Sequence, residues 1–128
     1  ASDLAKLTQC VMEGVSFALR DCLEAIRKTG ASPSSLLAIG GGSLSQFWLQ
    51  TISNTLNIEL EKPKSGEFGA ALGAARLAIT AIMKNPIEKI MTKPGIERKI
   101  MPNQKYLALY QSAYETYKKG HVHLRGLQ

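Results

Sequence analysis

The sequence has no apolar run near the ~20 residues that a membrane-spanning helix needs. Residues 68–83 come nearest, but Arg76 interrupts them and Ala and Gly make up much of the rest. A basic start followed by a short apolar core is also missing, so no signal peptide is legible. Cysteine is scarce, with Cys10 and Cys22 alone. On one helix they stand about 18 Å apart, at about 1.5 Å per residue, beyond disulfide reach. They are expected to be buried thiols in a reducing compartment, with the cytoplasm as the default location. Aspartate is as scarce: Asp3 and Asp21 are the only two, both in one helical stretch. Eleven glycines and five prolines in 128 residues fit neither a collagen-like nor a low-complexity chain. Finally, no initiator Met is present. Ala1-Ser2-Asp3 leads at once into an amphipathic pattern, and the expectation is a fragment of a larger domain.

What is present is ordinary globular material, 45% hydrophobic and 20% charged. The net charge is +6 and unevenly spread. Residues 1–61 carry four Lys+Arg and six Asp+Glu, and residues 62–128 carry twelve and four. That second half raises nucleic acid as a partner. Its basic residues are scattered among Glu88, Glu97 and Glu115, however, which favours a solvated surface over a nucleic-acid site.

Leu4, Leu7, Val11, Val15, Leu19, Cys22 and Ile26 recur at steps of three and four, which predicts a helix over about residues 3–29 with this stripe buried. Gly30 is a plausible C-cap, and Pro33 stops continuation. Leu36-Leu37-Ala38-Ile39 reads as a short buried strand, and Asn57-Ile58-Glu59-Leu60 as a second, bounded by Pro63. Between them Leu44, Trp48, Ile52 and Leu56 step by four, with Ser43 and Gln46 forming a capping-box signature at the helix start. Residues 67–78 predict a helix whose small side chains allow tight packing on a neighbour. Residues 84–102, with three prolines and no clean period, read as a surface connection. Tyr106, Tyr110, Tyr114 and Tyr117 then lie along a terminal helix over 103–120. They are expected to pack on the body of the protein rather than to stack on bases. His121 and His123 lack a third ligand and read as solvated, not metal-binding. The order α-β-α-β-α-α implies an α/β fold with a short parallel sheet. A pair of parallel strands is normally buried within a larger sheet, a second sign of missing chain.

One constellation carries chemical meaning: a strand, then Gly40-Gly41-Gly42, Ser43 and a helix start. A helix N-terminus presents unpaired N–H groups and a partial positive charge. Glycines leave no side chain between those donors and an arriving phosphate. It is not a Walker A loop, since no Gly-Lys-Ser/Thr follows. It also departs from the Rossmann fingerprint, because Ser45 stands where the third glycine belongs. The pattern leaves two readings: a phosphate- or nucleotide-binding turn, or a tight structural turn.

Residues 40–50 resemble the adenosine-binding segment of the FGGY carbohydrate kinases, particularly the xylulokinases, which reads Gly-Gly-Gly-x-x-Ser-x-x-Trp-x-Gln. Glu13-Gly14-Val15-Ser16-Phe17-Ala18-Leu19 is similar to that family's Glu-Gly-x-x-Phe/Tyr-x-Leu helix. Ala71-Leu72-Gly73-Ala74-Ala75-Arg76-Leu77-Ala78 is similar to its Ala-Leu-Gly-Ala-Ala-x-Leu-Ala helix, and Tyr106, Tyr110 and Tyr117 resemble its Tyr-rich last helix. The resemblance covers nearly the whole chain, in order. It implies an actin-like, ribonuclease H-like fold of two large domains, of which this chain is the nucleotide-binding end of the C-terminal one. Residues 1–83 would form an αβαβα core, 84–102 a connection and 103–120 the terminal helix.

The activity so implied is transfer of the ATP γ-phosphate to D-xylulose, with ribulokinase, gluconokinase and fuculokinase as the alternatives within the family. The implied cofactors are ATP and Mg2+, and the implied partners are ATP/ADP and a sugar bound mainly by an absent N-terminal domain. A homodimer of the full-length enzyme is a candidate assembly, and no membrane partner is implied. Gly41 and Gly42 would give backbone room and N–H groups at the nucleotide, Ser43 would cap the helix aimed there, and Gln46 would face the nucleotide or only complete the capping box. Trp48 reads as core. The chain departs from the family in Leu44, where relatives often carry a basic residue, and in Asn54, where they often carry Asp. The family's catalytic Asp and metal ligands lie upstream of this region, so the isolated chain is expected to be catalytically incomplete.

Overall fold

The computed structural model describes residues 2–64, 66, 69–83 and 86–125. Helix α1 spans Ser2–Lys28 and strand β1 spans Ser35–Leu37. A 310 turn over Gly41–Leu44 precedes helix α2, Gln46–Leu56. Strand β2 is Glu59–Pro63, helix α3 is Gly69–Met83 and the short helix α4 is Ile87–Ile90. Strand β3 is Ile96–Ile100, and helix α5 is Gln104–Arg125. Of the small-residue helix expected from residue 67, residues 67 and 68 lie outside the described residues, as does the side chain of His121.

The sheet has three strands in the order β1-β2-β3. The pair β1/β2 is parallel, with Leu36 opposite Leu60, as the α/β pattern predicts. The pair β2/β3 is antiparallel, with Leu60 opposite Ile100 and Glu61 opposite Lys99. The sheet is therefore mixed, and residues 84–102 hold a strand as well as a connection. Ile96 and Ile100 bracket three consecutive charged residues, Glu97-Arg98-Lys99, so no apolar alternation marks the strand, and Pro94 and Pro102 flank it. Its charges are cross-strand partners: Lys62 meets Glu97 at 3.0 Å, and Lys99 meets Glu59 at 2.7 Å. The second strand also begins later than expected. Asn57 is not in it, but takes the left-handed conformation (φ 49°, ψ 52°) that closes α2.

Helix α2 is the hub on which α1, α5 and the sheet converge. Leu23 of α1, Leu49 and Leu56 of α2, Ile58, Leu60 and Ile100 form the buried core. Two polar residues of α2 tie this core to the chain's later half. Ser53 Oγ, wholly buried, lies within hydrogen-bond distance of the carbonyls of Ile58 (2.9 Å) and Ile100 (3.2 Å). The Asn54 carbonyl oxygen accepts from the Asn103 N–H at 2.8 Å and from Gln50 Nε2 at 3.0 Å, fixing the start of α5.

Helix α1 reverses the predicted orientation. Leu4, Leu7, Val11, Val15, Leu19, Cys22 and Ile26 are all exposed, and Cys10 is too. The covered face carries Ser16, Phe17 and Leu23 instead. Phe17 packs on Tyr114 and Tyr117, with ring centroids 6.1 and 5.4 Å away. Arg20 lies over the Tyr114 ring at 4.1 Å and donates to the Thr55 carbonyl at 3.2 Å. The Tyr114 hydroxyl donates to Asp21, and burial, reinforced by that carboxylate, pushes its pKa upward. The tyrosines thus pack onto the body as expected, except Tyr106, which stays exposed. The apolar stripe on the other side of α1 has no cover among the described residues. Helix α3 is similarly bare: Gly69 sits close against Ile39, whereas Gly73 has no neighbour. No described helix is long and apolar enough to cross a membrane.

Candidate functional site

Strands β1 and β2 are parallel, so their carboxyl ends lie at one edge of the sheet, where ligands of open α/β sheets bind. The glycine turn leaves from that edge. The Ala38 N–H still donates to the Glu61 carbonyl at 2.9 Å, and the Gly40 N–H donates to the Gly66 carbonyl at 2.9 Å. Gly40 has φ 86° and ψ 177°, a conformation that only glycine adopts without strain. Its carbonyl accepts twice from Ser43, from the backbone N–H at 3.0 Å and from Oγ at 2.7 Å. Ser43 is 3% exposed, so this hydroxyl faces the turn and not solvent.

Gly41 and Gly42 are exposed at the crest. They open a 310 turn, so its i→i+3 bonding leaves their N–H groups without partners inside it. At Gly41 a side chain would meet nothing within 4 Å, whereas a Cβ on Gly42 would press on the Trp48 ring at 3.0 Å. Trp48 is half-buried beneath the turn, and its indole N–H is enclosed with no partner among the described residues. It packs as predicted, though at the border of the core rather than inside it.

The capping arrangement differs from the expectation. Ser45, extended at φ −86° and ψ 106°, is the N-cap of α2, and its Oγ accepts from the Trp48 N–H at 3.2 Å. Ser43 lies in the preceding turn, and Gln46 is the first residue of the helix rather than the third. Ser43 therefore caps nothing in α2, and Gln46 does not complete a capping box. Gln46 is exposed, and its Oε1 accepts from Arg98 Nη1 at 3.0 Å. Of the two departures from the family pattern, Leu44 is 66% exposed and Asn54 is buried in the hydrogen bonds described above.

The structure thus brings Gly41, Gly42, Ser43 and Gln46 to one edge and adds two residues that the sequence reading missed. Lys62, at the carboxyl end of β2, and Arg98 of β3 line a cleft of about 230 Å3 with Ser43, Leu44 and Gln46. The glycine crest itself is exposed and rich in backbone donors, and this neighbouring cleft, which Gly41 and Gly42 do not line, holds one cation paired with Glu97 and one, Arg98, bonded to an amide. Magnesium finds no fit: no three His, Cys, Asp or Glu side chains gather among the described residues.

The xylulose kinase of Escherichia coli strain K12 is 33% identical over 115 residues, which is 89% of this chain and 24% of that one. The crystal structure of a xyloylose kinase from Brucella ovis superposes with a TM-score of 0.85 at 43% identity, covering 95% of this chain and 25% of its own. The gluconate kinase of Lactobacillus acidophilus superposes at 0.72 with 27% identity, over 92% and 24%. The chain therefore spans about a quarter of the length of these relatives. A family model described as the C-terminal domain of the FGGY family of carbohydrate kinases matches residues 1–82. With that match over more than half of its residues, and with this turn at the carboxyl edge of its sheet, the chain belongs to the FGGY family of carbohydrate kinases, in the family's C-terminal domain.

Proposed function

We propose that this chain is the nucleotide-binding end of an ATP-dependent sugar kinase that converts D-xylulose to xylulose 5-phosphate. The observation that carries the reading is the tethered Gly40-Gly41-Gly42 crest, open to solvent where the parallel strands end. Phosphoryl transfer works by positioning and charge stabilisation. This chain's part is to seat the nucleotide: the N–H groups of Gly41 and Gly42 face its phosphates, and Gln46 offers an amide beside them. ATP supplies the phosphoryl group when bound. The group that accepts the sugar's proton, the magnesium ligands and most sugar contacts belong to polypeptide outside these residues. The likeness to xylulose kinases supports the choice of sugar. The likeness to a gluconate kinase keeps gluconate as the second reading.

The test uses the full-length kinase that carries this segment, assayed for ADP release with D-xylulose, L-xylulose, ribulose and gluconate. Turnover is expected to be highest with D-xylulose, and a strong preference for gluconate instead selects the second reading. Gly41→Asp adds a negative charge at a position with open space around it, so the fold is spared while phosphate is repelled. It is expected to weaken ADP binding at least tenfold, and unchanged binding overturns the nucleotide reading. The 128-residue chain alone is expected to show no ATP- and xylulose-dependent phosphorylation.

A further inference from the structure

Resting on the nucleotide reading above, we infer that Arg98 is a positioning residue for the nucleotide site: its guanidinium holds the Gln46 amide so that the NH2 group is presented to the ligand. The Gln46 carbonyl oxygen is taken by Arg98 Nη1 at 3.0 Å. A primary amide is planar, with oxygen and nitrogen on opposite sides of the carbon, so this bond turns Nε2 away from Arg98. Among the described residues no acceptor takes that Nε2, which leaves both of its hydrogens for a ligand.

The cations around the cleft are not equivalent. Lys62 is neutralised by Glu97 at 3.0 Å. Arg98 has no carboxylate partner among the described residues and spends its one side-chain bond on a neutral amide, so its positive charge remains for an anion. Its strand matters too. Because β3 runs antiparallel to β2, with Arg98 opposite Lys62, the Arg98 side of the sheet meets the carboxyl end of β2. An arginine suits the role because its planar fork fixes direction as well as charge, which a lysine cannot do.

The competing account is that the bond merely tacks β3 to the first turn of α2. Binding of ADP and thermal midpoints of the full-length kinase separate the two. Arg98→Ala frees the amide to rotate and is expected to weaken ADP binding about three- to tenfold, the size of one hydrogen bond's contribution. The KM for ATP is expected to rise by more than kcat falls. Gln46→Glu keeps an acceptor for Arg98, now as an ion pair, but removes the NH2 donor. It should weaken ADP as much without lowering the thermal midpoint. Arg98→Lys should recover only part of the loss. If Arg98→Ala and Gln46→Glu leave ADP binding unchanged while Gly41→Asp weakens it, the inference about Arg98 is wrong and the nucleotide reading stands. If all three leave it unchanged, the nucleotide reading itself has failed.

Discussion

The Ser45 hydroxyl closes the first turn of α2 by accepting from the Trp48 amide. Ser45→Ala removes that acceptor, and equilibrium denaturation is expected to show a loss of about 1 kcal/mol, with Ser45→Asp largely tolerated. Glu61 is a second residue with a measurable consequence. It is 5% exposed, and Lys93 lies 2.7 Å from its carboxylate. The bond from Lys93, aided by the charges of Lys93 and Lys99, holds its pKa below the ordinary carboxylate value despite its burial. Such a group stabilises the fold above its unfolded pKa, and the contribution is lost as pH falls through the lower folded value. Lys93→Ala should therefore move the acid-unfolding midpoint to higher pH, which a circular-dichroism titration reads directly. At this scale the glycine turn was legible, because three consecutive glycines between a strand and a helix have few other uses. The cap was not. Ser43 and Ser45 are both cap-forming residues, and the Gln three positions after Ser43 drew the assignment to the wrong one. The choice depends on the two Gly40 hydrogen bonds that commit Ser43 to the turn.

Helix α2 was legible from its four-residue steps, and α1 was legible in extent but inverted in orientation. A regular apolar stripe says which face of a helix seeks cover, and not whether the cover lies in the same stretch of chain. The face that packs here is built from Ser16, Phe17, Arg20 and Leu23, and from their matches on α5. Those residues also recur at helical spacing, but Ser16 and Arg20 are polar, so no apolar stripe announces this face. Strand β3 was missed because two prolines lie near its ends and charge fills its middle, although Glu97 and Lys99 each have a partner on β2. The attachment of β3 and α5 to α2 runs through Asn54. Asn54→Ala leaves the Asn103 N–H without its acceptor and takes one of two acceptors from Gln50 Nε2, and is expected to cost about 1–3 kcal/mol. Hydrogen exchange should quicken first in the opening turn of α5.

At the scale of the whole molecule, two helices, α1 and α3, each leave an apolar face exposed. Leu4, Leu7 and Val11 of α1, and Leu77, Ile82 and Met83 of α3, are each more than 59% exposed. Apolar surface on that scale marks an interaction face or an aggregation liability. The 128-residue chain by itself is therefore expected to self-associate, as light scattering against concentration will show. Leu7→Glu with Val11→Lys should disperse the isolated chain and impair assembly of the full-length kinase. Monodisperse behaviour of the unmodified chain would contradict this account of the stripe. The α/β class was legible from element order. The mixed sheet was not, since nothing in the order of elements sets the direction of a strand whose existence was hidden.

The hydrogen bonds of the glycine turn also bear on time. The Gly40 N–H holds Gly66, its carbonyl holds Ser43, and the Gly42 carbonyl holds the Ser45 N–H at 3.2 Å. On the proposed reading, a nucleotide arriving at Gly41 would meet a turn already held by its own hydrogen bonds. Capture at this edge should then proceed at the pace of diffusion and charge steering, with no slow isomerisation step of its own.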